Sequence, residues 1–399
     1  MTSPSTTPPA SPAGTPWRDR KRYAWLLGLA VPTLPFQAGA LVAVSDWQVL
    51  WWWGPFFAFV IIPLLDALIG PDQENPPDEA MPALEKDRYY RWCTYLYLPL
   101  QYAGLLYACV LWSRGMSVPD ALGLATTVGV VAGVAINTAH ELGHKRESVE
   151  RRLARIALAQ SAYGHFYVEH NHGHHIRVAT REDPASSRLG ESLWAFLPRT
   201  VAGSVRSAWH LEARRLTRRR HRTWSHRNDV LTAWGLTVLL FATLTAVFGP
   251  VVLPCLLVQA VCGILLLETV NYLEHYGLLR ERRPDGRYER VAPRHSWNSN
   301  NTTSNIFLYQ LQRHSDHHAN PLRRYQTLRH YDEAPQLPSG YASMIVLAWV
   351  TPLWRRVMDP KVLAHYDGDT RRANLHHRRA TRYGAPVGDS TRRAPSHGG

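Results

Sequence analysis

A chain of 399 residues with 45% hydrophobic residues, 15 Trp and 18 Tyr, yet a slightly negative mean hydropathy, must alternate apolar blocks with very polar ones. Its formal charge of +14 points to an acidic partner or an anionic lipid surface, and nucleic acid is set aside because the Arg-rich stretches sit close to apolar spans. The four cysteines, Cys93, Cys109, Cys255 and Cys262, lie in or beside apolar runs and form no C-x-x-C pair, which argues against a disulfide framework, a cysteine metal site or a built-in iron–sulfur carrier.

Residues 1–20 read as a disordered tail, and residues 1–16 lack a compact basic region before an apolar stretch, so no signal peptide is expected. Residues 21–365 read as one membrane-embedded domain. Six segments, roughly 24–44, 48–69, 92–112, 121–139, 231–249 and 251–271, are apolar and near the roughly 20 residues needed to cross about 30 Å of hydrocarbon. Pro32, Pro35, Pro55 and Pro63 fall inside them, as membrane helices tolerate when neighbours re-satisfy the backbone. The fourth carries Gly129-x-x-x-Gly133, suited to close helix packing or incidental to a glycine-rich span.

With the N-terminus inside, the outer loops hold a single basic residue, Arg114, while Arg18, Arg20, Lys21, Arg22 and the Arg-rich long segments fall inside. Segments 70–91, 140–230 and 272–399 are then cytosolic. Residues 342–354 are too short to span and read as interfacial or packed beneath the bundle. Residues 366–399 read as a disordered basic tail. The expected fold is an all-α membrane protein of six transmembrane helices with a cytosolic, histidine-rich cap.

Four histidine clusters fall on that cytosolic side: HELGH (140–144), EHNHGHH (169–175), NYLEHYG (271–277) and LQRHSDHH (311–318). His140 and His144 stand at i, i+4, on one face of a continuing helix. H-E-x-x-H alone also fits a zinc protease, and any single cluster could be a cap or a solvated surface. Together, nine histidines at ligand-like spacings exceed what one ion takes. Two irons sharing them receive four or five imidazoles each, whereas four-coordinate zinc leaves most idle. Glu141, Glu169, Glu274 and Asp316 adjoin proposed ligands and are expected to accept the far N–H of an imidazole.

These motifs, in this order, resemble those of the membrane alkane 1-monooxygenases, within the fatty-acid desaturase and hydroxylase superfamily. The resemblance covers roughly residues 20–360 and includes PLLDALIG (63–70), LEKDRYYR (84–91), DGRYER (285–290) and HSWNSN (295–300). It implies six membrane helices in a bacterial cytoplasmic membrane, two non-haem irons, and terminal hydroxylation of alkyl chains by O2. It also implies electrons from rubredoxin, reduced by a flavin-dependent reductase and NAD(P)H. Carried over residue by residue, the ligands are His140, His144, His170, His174, His175, His275, His314, His317 and His318. His172 occupies a variable position. His165 and His295 are expected in hydrogen-bonding roles, and His210, His221, His226, His330, His365, His376, His377 and His397 on the surface.

The substrate is expected to come from the bilayer through a cavity among the spans, with Ala58, Phe59 and Ile62 of the second span facing it. Trp51, Trp52 and Trp53 above them read as an interfacial belt. Arg151, Arg152, Arg155, Arg214, Arg215, Arg218, Arg219, Arg220 and Arg222 mainly set orientation, and a subset is expected to dock the acidic electron carrier. The nearest alternative is a fatty-acid or aromatic-methyl hydroxylase of the same superfamily. A zinc protease leaves three clusters unexplained, and a metal transporter should carry its histidines mid-span.

Overall fold

The structure is a computed structural model that describes residues 17–376 and Tyr383. Among the described residues every regular element is helical, and β-pairing is limited to four isolated bridges. The long elements are α1 (Leu34–Ser45), α2 (Gln48–Ile69), α3 (Arg88–Ser113), α4 (Val118–Gly143), α5 (Ser148–Gln160), α6 (Leu193–Arg218), α7 (Asp229–Phe248) and α8 (Val252–His275). Four further helices follow: α9 (Thr302–Phe307), α10 (His314–Ala319), α11 (Tyr341–Trp349) and α12 (Thr351–His365).

Five helices, α2, α3, α4, α7 and α8, are long and apolar enough to cross a membrane. The expected first span differs. A 3₁₀ helix over Arg22–Ala30 meets α1 at 64°, so 24–44 is a bent pair rather than a straight rod. Pro32 sits at the break and offers no N–H to the helix before it. In α2 the prolines act more gently. Pro63 cannot donate to the carbonyl one turn back, and the helix winds as π over Phe57–Ile61, with the Ile62 N–H reaching the Phe57 carbonyl.

The central pair is α4 on α8. A Cβ at Gly129 would collide with Cys262, and one at Gly133 would lie 3.0 Å from Leu266 Cβ. Gly263 lies equally close to Ala132, so small residues on both helices let the backbones approach. At 1.5 Å per residue these helices of 26 and 24 residues are about 39 and 36 Å long, more than the hydrocarbon thickness. That excess is enough for the last turns, carrying His140 and His275, to lie beyond it.

The 342–354 segment divides between α11 and α12. Met344, Ile345 and Ala348 pack in one buried cluster with Val270 and Leu273 of α8 and Trp354 of α12, beneath the bundle. Of the stretch expected as a basic tail, residues 366–376 are described, and Ala373 and Asn374 are buried there beside a bridge from Leu375 to Leu189. The rest, Tyr383 apart, and residues 1–16 lie outside the described residues. All four cysteines are free.

Candidate metal centre

Four helical ends converge. α4 delivers His140 in its last turn and His144 just past its end. The EHNHGHH motif forms one short helix, α-wound over Phe166–Glu169 and π-wound over His170–His174. There a side chain at Gly173 would strike Glu169 and Arg177. α8 ends on His275, and α10 presents His314, His317 and His318.

The nine histidines fall into two groups: His140, His144, His170, His175 and His317, then His174, His275, His314 and His318. Within each group the donor nitrogens all lie within 4.8 Å of one another. His317 Nε2 stands 2.8 Å from His140 Nε2 and 3.1 Å from His175 Nε2, which is 3.0 Å from His170 Nε2. In the second group His314 Nε2 lies 2.8 Å from His318 Nε2 and 3.3 Å from His275 Nε2.

A ring nitrogen donates or accepts one hydrogen bond, so chains of facing Nε2 atoms cannot all satisfy one another. A cation among them resolves this. Nitrogens about 2.1 Å from one ion, at right angles, stand about 3 Å apart. Burial pushes His170, His175, His314, His317 and His318 well below the ordinary histidine range, so the rings are neutral with lone pairs free. His144 Nε2 and His174 Nε2 are buried without any partner. An all-imidazole donor set fits iron, copper, nickel or zinc.

The supporting carboxylates differ from expectation. Glu274 alone of the four meets an imidazole, and it does so at 3.1 Å from His314 Nε2, the nitrogen that faces the other rings, not at the far Nδ1. Glu141 pairs with Lys145 at 3.0 Å and accepts the Tyr325 N–H. Glu169 pairs with Arg177 at 2.7 Å, and Asp316 accepts from Arg323, Tyr331 and the Arg329 N–H. In a basic region these acids find cations first. The clearest imidazole partner is Asp183, 2.9 Å from His174 Nδ1 and held by Ser186 Oγ at 2.6 Å. Burial pushes the Asp183 carboxyl up, but the interaction with His174 and the hydrogen bonds from His174 and Ser186 outweigh it and hold the group at about 2. A carboxylate there fixes the His174 proton on Nδ1 and leaves Nε2 for the metal. Only its position nine residues past His174, in a Ser-rich loop, could have signalled it.

His172 is exposed and in neither group. His165 Nε2 meets Ser204 Oγ at 3.1 Å, and His295 meets Glu289 at 3.1 Å. His330, expected on the surface, is buried: Asn300 and Asp332 occupy its two nitrogens. Of the basic set, Arg151 and Arg152 bind backbone carbonyls, Arg155 pairs with Asp229 at 3.2 Å, and Arg215 pairs with Glu212. Arg214, Arg218, Arg219, Arg220 and Arg222 are exposed.

An apolar cavity, with about 80 Å³ open to the centre of a water-sized sphere, lies beside this centre. Ala58, Phe59 and Ile62 line it with residues of α4, α8, α9 and α11. Its wall includes Asn137, Val270 and Leu311, which precede His140, His275 and His314 by three to five residues. Asn137 and Ser304 are its polar side chains, and both are spent within the fold, on the Leu308 carbonyl and on Asp66. No basic side chain lines it.

Residues 119–348 match the fatty acid desaturase family. The alkane 1-monooxygenase of Acinetobacter baylyi is 46% identical over 374 residues, 93% of this chain and 92% of its own length. The chain belongs to the alkane 1-monooxygenase family. Alkane 1-monooxygenase 1 of Alcanivorax borkumensis is 44% identical over 376 residues, with the same coverage of both chains. The xylene/toluene monooxygenase hydroxylase component XylM of Pseudomonas putida stands further off, 25% identical over 246 residues, 61% of this chain. In these alkane monooxygenase relatives the similarity extends across nearly the whole chain, the apolar helices and the histidine motifs included.

Proposed function

We propose that the chain is an alkane 1-monooxygenase that uses O2 to convert medium- or long-chain n-alkanes to primary alcohols, with two non-haem irons held by the nine histidines. The observation that carries this reading is an apolar cavity, free of basic side chains among the described residues, whose wall ends about one helical turn short of two close groups of imidazoles. A fatty-acid substrate would need a partner for its carboxylate, which the lining does not offer. Metal sites of four and five imidazoles also leave the zinc-protease reading without a role for most of the centre.

Bound there, the irons supply the one-electron and dioxygen chemistry that side chains lack. The protein does the rest. The imidazoles hold the ions, Asp183 fixes the His174 tautomer, and the cavity excludes water while holding the chain by about 0.8 kcal/mol per buried CH₂. With no polar anchor, shape and length alone position the terminal methyl.

In this reading the bent α1 pair supplies the sixth span, and the chain sits in the bacterial inner membrane with its termini and metal centre in the cytosol. Rubredoxin brings the electrons from NAD(P)H by way of its reductase. The exposed Arg218, Arg219, Arg220 and Arg222 suit an acidic carrier better than Arg151 or Arg155, whose guanidinium groups are already engaged by the Lys145 carbonyl and by Asp229. Turnover with rubredoxin should then fall as salt rises, and a salt-independent rate removes that docking role.

The deciding experiment is metal analysis plus one assay on octane, hexadecane, xylene and a fatty acid. About two irons per chain, with 1-alcohols as product, are expected. A zinc-dependent active protein without iron, or turnover of the fatty acid alone, overturns the reading.

A further inference from the structure

Glu268 is a carboxylic acid in the candidate span α8, 1% exposed. An ionisable group at such a position is costly, which makes it a functional candidate. Its contacts are all neutral: Tyr163 OH donates at 2.7 Å, Thr200 Oγ1 at 2.8 Å and Asn271 Nδ2 at 3.1 Å. Among the described residues no cation is paired to it, and three neutral donors surround the carboxyl group. The network continues from Tyr163 OH to Ser204 Oγ at 3.1 Å, and from there to His165 Nε2 at 3.1 Å.

Beside Glu268 lies a small void with room for about one water. Glu268, Asn271, Thr200 and Ser204 bound it on one side, and Glu169, His170 and His174 on the other. Glu169 Oε2 is buried with no partner, so a water there gains a ready acceptor. Glu169 Oε1 binds Arg177, whose side chain is 31% exposed and leads to solvent.

The void and the substrate cavity use different faces of α8. Leu266, Leu267 and Val270 line the apolar cavity, while Glu268 and Asn271 line the void. At about 100° per residue these sets point more than 100° apart. Alkane and water thus approach the histidines by separate routes.

Resting on the function proposed above, we infer that Glu268 is the proton relay residue of the metal centre. Terminal hydroxylation consumes one C–H bond, one O2, two electrons and two protons. The O–O bond breaks, one oxygen enters the C–H bond, and the other leaves as water with both protons. The apolar cavity cannot carry those protons. Glu268 passes its carboxyl proton to the water in the void, toward the space the histidines enclose, and takes up a replacement from water that reaches the void past the Arg177 side chain. The electrons come from the external carrier.

Glu268→Gln keeps the size of the acid and one acceptor oxygen but cannot exchange a carboxyl proton. With iron content unchanged, alcohol formed per NADH should fall by about tenfold or more, and the missing electrons should appear as hydrogen peroxide. Tyr163→Phe, which removes one hydrogen bond and leaves the acid, should give a smaller loss of coupling. A second readout is independent of turnover: the infrared spectrum of wild type minus Glu268→Gln should contain a carboxylic-acid C=O stretch that shifts in heavy water. A fully coupled, iron-loaded Glu268→Gln overturns the inference, as does a difference spectrum without that band. Loss of iron in Glu268→Gln together with unaltered coupling in Tyr163→Phe also overturns it, in favour of a structural role. Wild type that makes no alcohol refutes the underlying function instead, whatever the infrared result.

Discussion

Ala58→Trp should shorten the accepted alkane. Ala58 lines the cavity from α2. The Gly54 N–H bonds Thr127 Oγ1 at 2.9 Å, which sets α2 beside α4 with residue 54 level with 127. Four residues further along each helix, Ala58 is level with Val131. From Val131 to His140 is nine residues, or about 13 Å of helix rise. A chain with its methyl at the histidines therefore reaches Ala58 near its far end. An indole at that level blocks the cavity beyond it and leaves the inner part open. Each methylene kept out forfeits about 0.8 kcal/mol, so excluding about four of them from hexadecane costs about 3 kcal/mol, near 200-fold in kcat/KM. Octane, which ends short of Ala58, should be turned over as before. Competition among octane, dodecane and hexadecane, in wild type and variant of equal iron content, gives the length profile directly. An unchanged profile in a stable, iron-loaded variant refutes the placement of the chain along α2.

Asp183→Asn should weaken iron retention by about 10–100-fold, read by chelator competition, while circular dichroism stays as in wild type; full retention would mean that His174 needs no help with its tautomer. Gly129→Val should lower the thermal stability of the detergent-solubilised protein by about 1–3 kcal/mol, because the new side chain strikes Cys262. Burial pushes His165 down to about 4, below the ordinary value of about 6.5. Its contribution is therefore complete above about pH 6.5 and is lost as pH falls toward 4, at about 1.4 kcal/mol per unit. Wild type should accordingly lose more stability in acid than His165→Gln, and superimposable acid-unfolding curves would show that His165 does not titrate this way.

Hydrophobic run length was enough to locate five long helices, because a span is a long, local signal. The bent first pair was not legible. Pro32 in 24–44 and Pro63 in 48–69 look alike as letters, yet one breaks its helix and the other shifts it into π winding. The histidines stood out through spacing and shared side, and the structure brings all nine into two groups. Their carboxylate partners did not, since the residue next to a helical ligand points away from it by about 100°. Glu141, Glu169 and Asp316 turn to Lys145, Arg177 and Arg323 for that reason. Glu268 lies about a hundred residues along the chain from His170 and His174, and Asp183, nine residues past His174, returns to it only through the turn between them.

The two groups of histidines share more than a boundary. His174 belongs to one and its neighbour His175 to the other, and His317 and His318 divide in the same way. Two separate stretches of backbone are thereby stitched across the pair of centres, each by a single peptide link with Cα atoms about 3.8 Å apart. Neither centre can be emptied without loosening a ligand of its neighbour, so the ions should load together. At limiting iron the protein should partition into fully loaded and empty molecules, and mild chelation should strip both ions in one phase.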